Sequence, residues 1–230
     1  MAIAKSSGQW ILTPLTLGII TILPYVFIRL FLLLILAIIW FIITGVFVLF
    51  FRDPERVPPA NINYILAPAD GKINKIEICN SSQNTSEALK DSGIAGSFIR
   101  ISTFMNIHNV HVNRAPMDGK IIKIDHKLGT FKPAFNKDSD ENERVIITMN
   151  TKLGTIKVIQ IAGIFARRIV PYIEKNSIVR KGERIGIIRF GSRVDLILPC
   201  SKVKVKIKVG DKVNAGSSIV AKIIQGTATD

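Results

Sequence analysis

The sequence predicts a mainly β protein, a lipoyl-like barrel or sandwich, with an apolar helical segment at its N-terminus. Three observations lead there. Residues 11–51 are almost wholly apolar, with Arg29 their one charge. From Asn63 onward the chain changes to short β-branched runs punctuated by Gly, Asp and Pro, the pattern of brief strands joined by tight turns. Part of that region also repeats: Ala67-Pro68-Ala69-Asp70-Gly71-Lys72-Ile73-Asn74-Lys75-Ile76 returns as Ala115-Pro116-Met117-Asp118-Gly119-Lys120-Ile121-Ile122-Lys123-Ile124.

The N-terminal segment divides near Pro24 and Arg29 into Ile11–Ile28 and Leu30–Phe51, and a turn is expected between them. The second run is long enough for a hydrocarbon core of about 30 Å. A hairpin that enters or crosses the bilayer satisfies the pattern, and so does one span preceded by an interfacial segment. A cleavable signal peptide fits poorly, because the run is too long and no small-x-small site comes after it. Arg52 and Arg56 directly after the second run favour the cytoplasmic side of the cell (inner) membrane for the remainder of the chain. The expected division is therefore a membrane-associated segment, 1–51, and a folded domain, 52–230.

The formal net charge is +14; 29 of the 31 basic residues and all 17 acidic ones lie in 52–230, leaving +12 there. Juxtamembrane Lys and Arg each gain about 1 kcal/mol near anionic lipid, so an anionic bilayer is the partner this charge favours. Nucleic acid is the competing class. It is set aside because no aromatic-interleaved basic motif, helix-turn-helix pattern or zinc spacing accompanies the charge. Cys79 and Cys200 are the only cysteines and form neither a disulfide framework nor a metal clip.

Within the domain, strands are expected at Gly71–Ile78, Phe98–Ser102, Gly119–Ile124, Arg144–Met149, Thr155–Ala162, Arg184–Phe190 and Lys202–Val209. Short helices are expected at Gly163–Pro171 and Thr85–Leu89. Each Asp-Gly of the repeat supplies a turn feeding a strand. Two copies are too few for a solenoid and suit a pseudo-symmetric barrel. The Gly-and-charge turns at Val179–Gly186 and Val209–Val213 are of the kind found in lipoyl and biotinyl barrels, but no carrier lysine setting is present. Asn80–Asp91 and Asn136–Glu143 read as polar loops, the second a solvated acidic turn.

Three features could carry chemistry. Of the three histidines, His108 and His111 lie in Phe104-Met105-Asn106-Ile107-His108-Asn109-Val110-His111-Val112-Asn113-Arg114-Ala115-Pro116, and His126 stands apart. On a helix the first two would share a face; on a strand they would oppose each other. Their spacing lacks the glutamate of a zinc-protease helix, so no metal is expected. Gly191 and Ser192 end a strand-like run in Phe190-Gly191-Ser192-Arg193, and Asp70 stands at a strand entrance. Singly, each is ordinary turn chemistry.

Together they resemble the short-form phosphatidylserine decarboxylases. The resemblance runs over essentially the whole chain, in the order apolar segment, Phe51-Arg52-Asp53-Pro54-Glu55-Arg56, Pro68-Ala69-Asp70-Gly71, the two-histidine segment, and Gly191-Ser192. It implies a proenzyme that cleaves itself between Gly191 and Ser192. The hydroxyl attacks the preceding carbonyl, the ester eliminates, and the new dehydroalanine terminus hydrolyses to a covalent pyruvoyl group with loss of ammonia. A glycine at 191 leaves that carbonyl open to attack. The products would be a β chain, 1–191, and an α chain, 192–230, which stay together. His111 is implied as the base for Ser192, and Asp70 as the group that fixes its tautomer and stabilises the imidazolium, as in a Ser-His-Asp triad. The pyruvoyl carbonyl would form a Schiff base with phosphatidylserine and draw off the electrons released with CO2, giving phosphatidylethanolamine. His108 is implied at that stage, as proton donor or carboxylate contact. Asn106 stands where long-form members often carry an acid, so it receives no role. Asp118 is expected to serve its turn only. A homo-oligomer is left open.

Three other readings compete: a pyruvoyl enzyme acting on a soluble amino acid, a noncatalytic membrane-tethered barrel, and a membrane serine protease using Ser192 in trans. The apolar segment argues against the first. One uncleaved chain would mark the second, and an ordinary serine N-terminus the third.

Overall fold

The computed structural model describes residues 2–80, 97–129, 142–163, 168–189 and 192–224, with Asn80 and Ser192 traced through the backbone alone. The chain divides into two compact units, Met1–Glu55 and Arg56–Asp230.

The first unit is a helical hairpin of α1 (Gly8–Ile28) and α2 (Phe31–Phe50). The reversal sits at Arg29, whose φ of 54° is left-handed and whose amide donates to the Tyr25 carbonyl at 2.8 Å. Pro24, expected at the turn, lies inside α1 together with Pro14. Gly18 lets the helices approach: a Cβ there would stand 3.1 Å from the Phe41 ring. Both helices are long and apolar enough to cross a membrane, and many of their large side chains are exposed, among them Leu12, Leu23, Phe27, Ile42 and Leu49.

Among its described residues the second unit is built of β-strands, with one 3-10 turn at Cys200–Lys202. Its strands are β1 (Tyr64–Leu66), β2 (Gly71–Asn80), β3 (Ser97–Met105), β4 (Val112–Arg114), β5 (Gly119–Lys127), β6 (Arg144–Thr151) and β7 (Gly154–Ala162). Then come β8 (Ile169–Pro171), β9 (Ile178–Val179), β10 (Arg184–Ile188), β11 (Ser192–Pro199), β12 (Val203–Val205), β13 (Lys212–Val213) and β14 (Ile219–Ile223). A curled antiparallel sheet runs β13-β2-β3-β11-β7-β6-β5-β9, and two three-stranded sheets, β1-β14-β12 and β4-β10-β8, accompany it. The core lies on one face of the large sheet. There Ile101, Met105, Ile147, Val158, Ala162, Val194, Leu196 and Leu198 pack with Ile185 and Ile188 of β10.

The sequence repeat is a structural repeat. Gly216 donates to the Ala67 carbonyl at 2.9 Å as Gly182 does to Ala115 at 2.8 Å. β13 pairs with the start of β2 as β9 pairs with the start of β5. Both long strands carry a bulge at the equivalent place, after Ile73 and after Ile121. Bulges of this kind bend and twist a strand, which is how the sheet curls.

Several expectations change. Ser192, read with Gly191 as a turn ending a strand-like run, instead opens a central strand, Ser192–Pro199, bonded to β3 and β7 along most of its length. Its alternation is disguised because Arg193 and Asp195 on the second face are also buried, and ion-paired with each other at 3.0 Å. Ile169–Pro171 is an edge strand against Gly186–Ile188 rather than the end of a helix; its β-branched pair suits a ladder, and its proline ends it. The rest of that expected helix, 164–167, and the one at 85–89 lie outside the described residues, as does most of the polar loop after Asn136. The end of that loop is not solvated: Asn142 and Glu143 are buried, and Glu143 accepts from His126 at 2.8 Å. The strand expected to Val209 stops at Val205, before the turn in which Asp211 accepts the Lys208 amide at 2.9 Å.

Candidate active site

Backbone pairing gathers the expected residues at one end of the large sheet. Lys72 of β2 pairs with Phe104 of β3, so Asp70, just before β2, ends near Met105. Met105 pairs in turn with Ser192, and Ser192 with Ala162 on its other side. His111 immediately precedes β4, and its carbonyl accepts the Ile188 amide at 3.3 Å. The Arg114 amide donates to the Pro68 carbonyl at 2.9 Å, laying the segment after His111 alongside the one that leads to Asp70. Gly191 lies outside the described residues. A surface cavity lined by Met117, Asp118, Asn150 and Lys181 among others contains none of the expected catalytic residues.

Asp70 is 5% exposed. Its two carboxylate oxygens accept a bidentate pair from Arg56, Nη1 to Oδ1 at 2.5 Å and Nη2 to Oδ2 at 2.8 Å. Oδ1 also accepts the Ala215 amide at 2.7 Å, and Arg56 Nη1 reaches the Ala215 carbonyl at 2.8 Å. Two parallel charge-assisted bonds fix both the position and the plane of the carboxylate. Its repeat-mate Asp118 accepts the Lys181 amide at 2.7 Å, is exposed, and serves the turn. The amide contact is thus common to both copies, and Arg56 is what sets Asp70 apart. Gly71 next to it has no room for a side chain: a Cβ would lie 2.1 Å from the Phe104 carbonyl oxygen.

The histidine segment is neither helix nor strand but a turn between β3 and β4. The Asn109 amide donates to the Asn106 carbonyl at 2.9 Å, and the Asn109 side-chain oxygen accepts the Asn106 amide at 2.8 Å. That turn leaves His108 exposed and carries His111 into the interior, fully buried. Nδ1 of His111 lies 2.9 Å from the Asn109 carbonyl oxygen. A carbonyl only accepts, so Nδ1 carries a proton, which in the neutral form of the ring leaves the lone pair on Nε2. Among the described residues, the hydrogen-bond partners of Asp70 are Arg56 and the Ala215 amide.

Polar residues behind this end were not singled out from the sequence. Gln160, two positions from Ala162 on the same face of β7, donates to Asn113 Oδ1 at 2.7 Å, and Asn113 reaches the Met105 sulfur at 3.9 Å. In the sequence Arg56 stands only as a topology signal and as the last residue of the Phe51–Arg56 motif. Its spacing from Asp70 gives no hint of the pairing, since the two lie fourteen positions apart with β1 between them.

The chain matches the family model described as phosphatidylserine decarboxylase over residues 43–221. It is 43% identical over 196 residues to a putative archaetidylserine decarboxylase proenzyme of Methanothermobacter thermautotrophicus, covering 83% of this chain and 86% of that one. It is 44% identical over 192 residues to a phosphatidylserine decarboxylase proenzyme of Desulfotalea psychrophila, covering 83% and 85%. With the corresponding proenzyme of Streptomyces coelicolor it shares 46% identity over 167 residues, 73% of this chain and 68% of the relative. A match of this extent, over a mainly β unit preceded by two apolar helices, makes the chain a member of the phosphatidylserine decarboxylase family.

Proposed function

We propose that the chain cleaves itself between Gly191 and Ser192 and that the product decarboxylates phosphatidylserine to phosphatidylethanolamine and CO2. The observation that carries this reading is the place of residue 192. It opens a central strand, bonded to Met105 on one side and Ala162 on the other, at the sheet end where buried His111 and clamped Asp70 lie. A break before it would leave the new terminus held by two ladders, and the 192–230 chain anchored to the rest.

His111 takes the Ser192 hydroxyl proton through Nε2 as the oxygen attacks the Gly191 carbonyl. The Asn109 carbonyl supplies the correct tautomer, and the charge of Asp70 stabilises the imidazolium. Residue 192 fits as the seat of a pyruvoyl group, because its row neighbours Met105 and Ala162 are fully buried and apolar, a setting that shields a reactive carbonyl from water. That group supplies the electron sink which no ordinary side chain provides. His108, exposed on its turn, meets the substrate's amino-acid end and returns a proton to the α-carbon. The apolar hairpin holds the domain at the cytoplasmic face of the cell membrane, where the substrate headgroup lies, and the basic surface favours anionic lipid.

Intact-mass measurement of purified full-length protein tests this. Wild type yields two chains, 1–191 and 192–230, the second carrying a keto-acyl terminus. Ser192→Ala yields one uncleaved chain. An uncleaved wild type that still decarboxylates phosphatidylserine overturns the reading. Assays on phosphatidylserine, archaetidylserine and free serine identify the substrate.

A further inference from the structure

A pair of arginines just beyond the paired ends of β8 and β10, in the three-stranded sheet, has no part in the chemistry above. The register of β10 with β8 continues beyond Ile188 and Ile169, and the Arg189 amide donates to the Arg168 carbonyl at 3.2 Å. The two residues are therefore directly opposed across the ladder, which puts their side chains on one face. Arg168 is exposed, and Arg189 is 8% exposed. Like charges opposed in this way are destabilising in a strand pair. Burial, and next the Arg168 guanidinium, hold Arg189 below the usual arginine range. Their position is specific. Arg189 comes directly after Ile188, whose amide binds the His111 carbonyl, and precedes residue 192 by three positions.

The geometry points to Arg168 and Arg189 as the binding site for the phosphodiester anion of the lipid headgroup. The inference rests on the reading of residue 192 as the reacting position. The serine headgroup offers two anions, and the chemistry selects between them. A cation held against the carboxylate would stabilise the charge that must be lost with CO2, and so bind the ground state in preference to the transition state. The phosphodiester keeps its charge throughout, so a cation there binds substrate and product alike without raising the barrier. Guanidinium groups suit it, because their forked donors match phosphate oxygens. The phosphodiester is also common to any lipid bearing this headgroup, whatever its chains.

The test uses full-length enzyme in nonionic detergent micelles, which removes attraction to a charged bilayer. Arg168→Gln and Arg189→Lys are compared with wild type, the lysine variant guarding against loss of folding at the buried site. The readouts are chain cleavage, KM and kcat for phosphatidylserine, and the inhibition constant of phosphatidylethanolamine, which retains the phosphodiester and lacks the carboxylate. In Arg168→Gln, KM and the inhibition constant rise together, by about tenfold, while kcat changes little and both chains form. Arg189→Lys shows the same joint rise, smaller in size. A rise in KM with an unchanged inhibition constant would move the pair to the carboxylate and overturn the assignment, as would no change in either. A wild type that forms no second chain and has no lipid activity would instead remove the underlying functional reading.

Discussion

The repeat supplies its own control for the role of Asp70. Asp70→Asn and Asp118→Asn are the same isosteric change at equivalent turns, and in each the new amide oxygen can still accept its backbone N–H, from Ala215 or Lys181. Only Asp70 also loses a bidentate arginine, in a pair 14% and 7% exposed at the side chains. Breaking a nearly buried pair from one side costs about 3 kcal/mol, whereas the exposed Asp118 change costs under about 0.5 kcal/mol. The effect on self-cleavage separates further. In Ser-His-Asp enzymes the corresponding change costs about 10⁴-fold because the histidine adopts the wrong tautomer. Here the Asn109 carbonyl already holds Nδ1, so the loss is that of a charge. A carboxylate charge acting on an imidazolium at a separation on the order of 5 Å and an effective dielectric of ~20 contributes about 3 kcal/mol, on the order of 100-fold. The assay tracks band conversion of freshly purified precursor on denaturing gels, with thermal unfolding in detergent alongside. Arg56→Met strips the same ion pair yet keeps the carboxylate. It is expected to match Asp70→Asn in lost stability and to cleave much faster. Equal cleavage rates for Asp70→Asn and Asp118→Asn would reduce Asp70 to a turn residue. A loss near 10⁴ would mean that Asp70, not Asn109, sets the tautomer.

The site makes three further outcomes testable. His111→Ala slows formation of the two chains by at least ~100-fold, as removal of an activating base should; His108→Ala still cleaves and instead lowers turnover of phosphatidylserine, both read by gel and by CO2 release. Gly71→Ala drives a Cβ to 2.1 Å from the Phe104 carbonyl at a φ of +152°, which costs about 3 kcal/mol or more and shows as a lowered melting temperature with slowed cleavage, because Asp70 is displaced with it.

Local pattern was enough for much of this. Forty nearly uncharged residues could only be apolar helix, and the hairpin is their natural outcome, reversing at Arg29, one of the two residues expected there, with Pro24 inside α1. β-branched runs between Gly and Asp turns specified most strands of the large sheet, because period-two burial is written in consecutive residues. The duplicated Asp-Gly turns announced the pseudo-symmetry that the backbone bonds display. The residues proposed for chemistry were legible only as a constellation, through resemblance; His108, His111, Asp70 and Ser192 each look like turn residues alone. Tertiary structure decided the rest. Ser192–Pro199 became a central strand because partners distant in sequence on both sides buried its two faces, including an Arg193–Asp195 pair that reads as solvent-exposed in one dimension. The turn at 106–109 separated two histidines into an exposed one and a buried one, which no spacing rule distinguishes. Arg56 met Asp70, and Arg168 faced Arg189, across contacts that depend on strand order and register. Composition and periodicity are properties of neighbours along the chain, whereas charge pairing and burial are properties of neighbours in space. The first could be read from the letters; the second exist only once the sheets have closed.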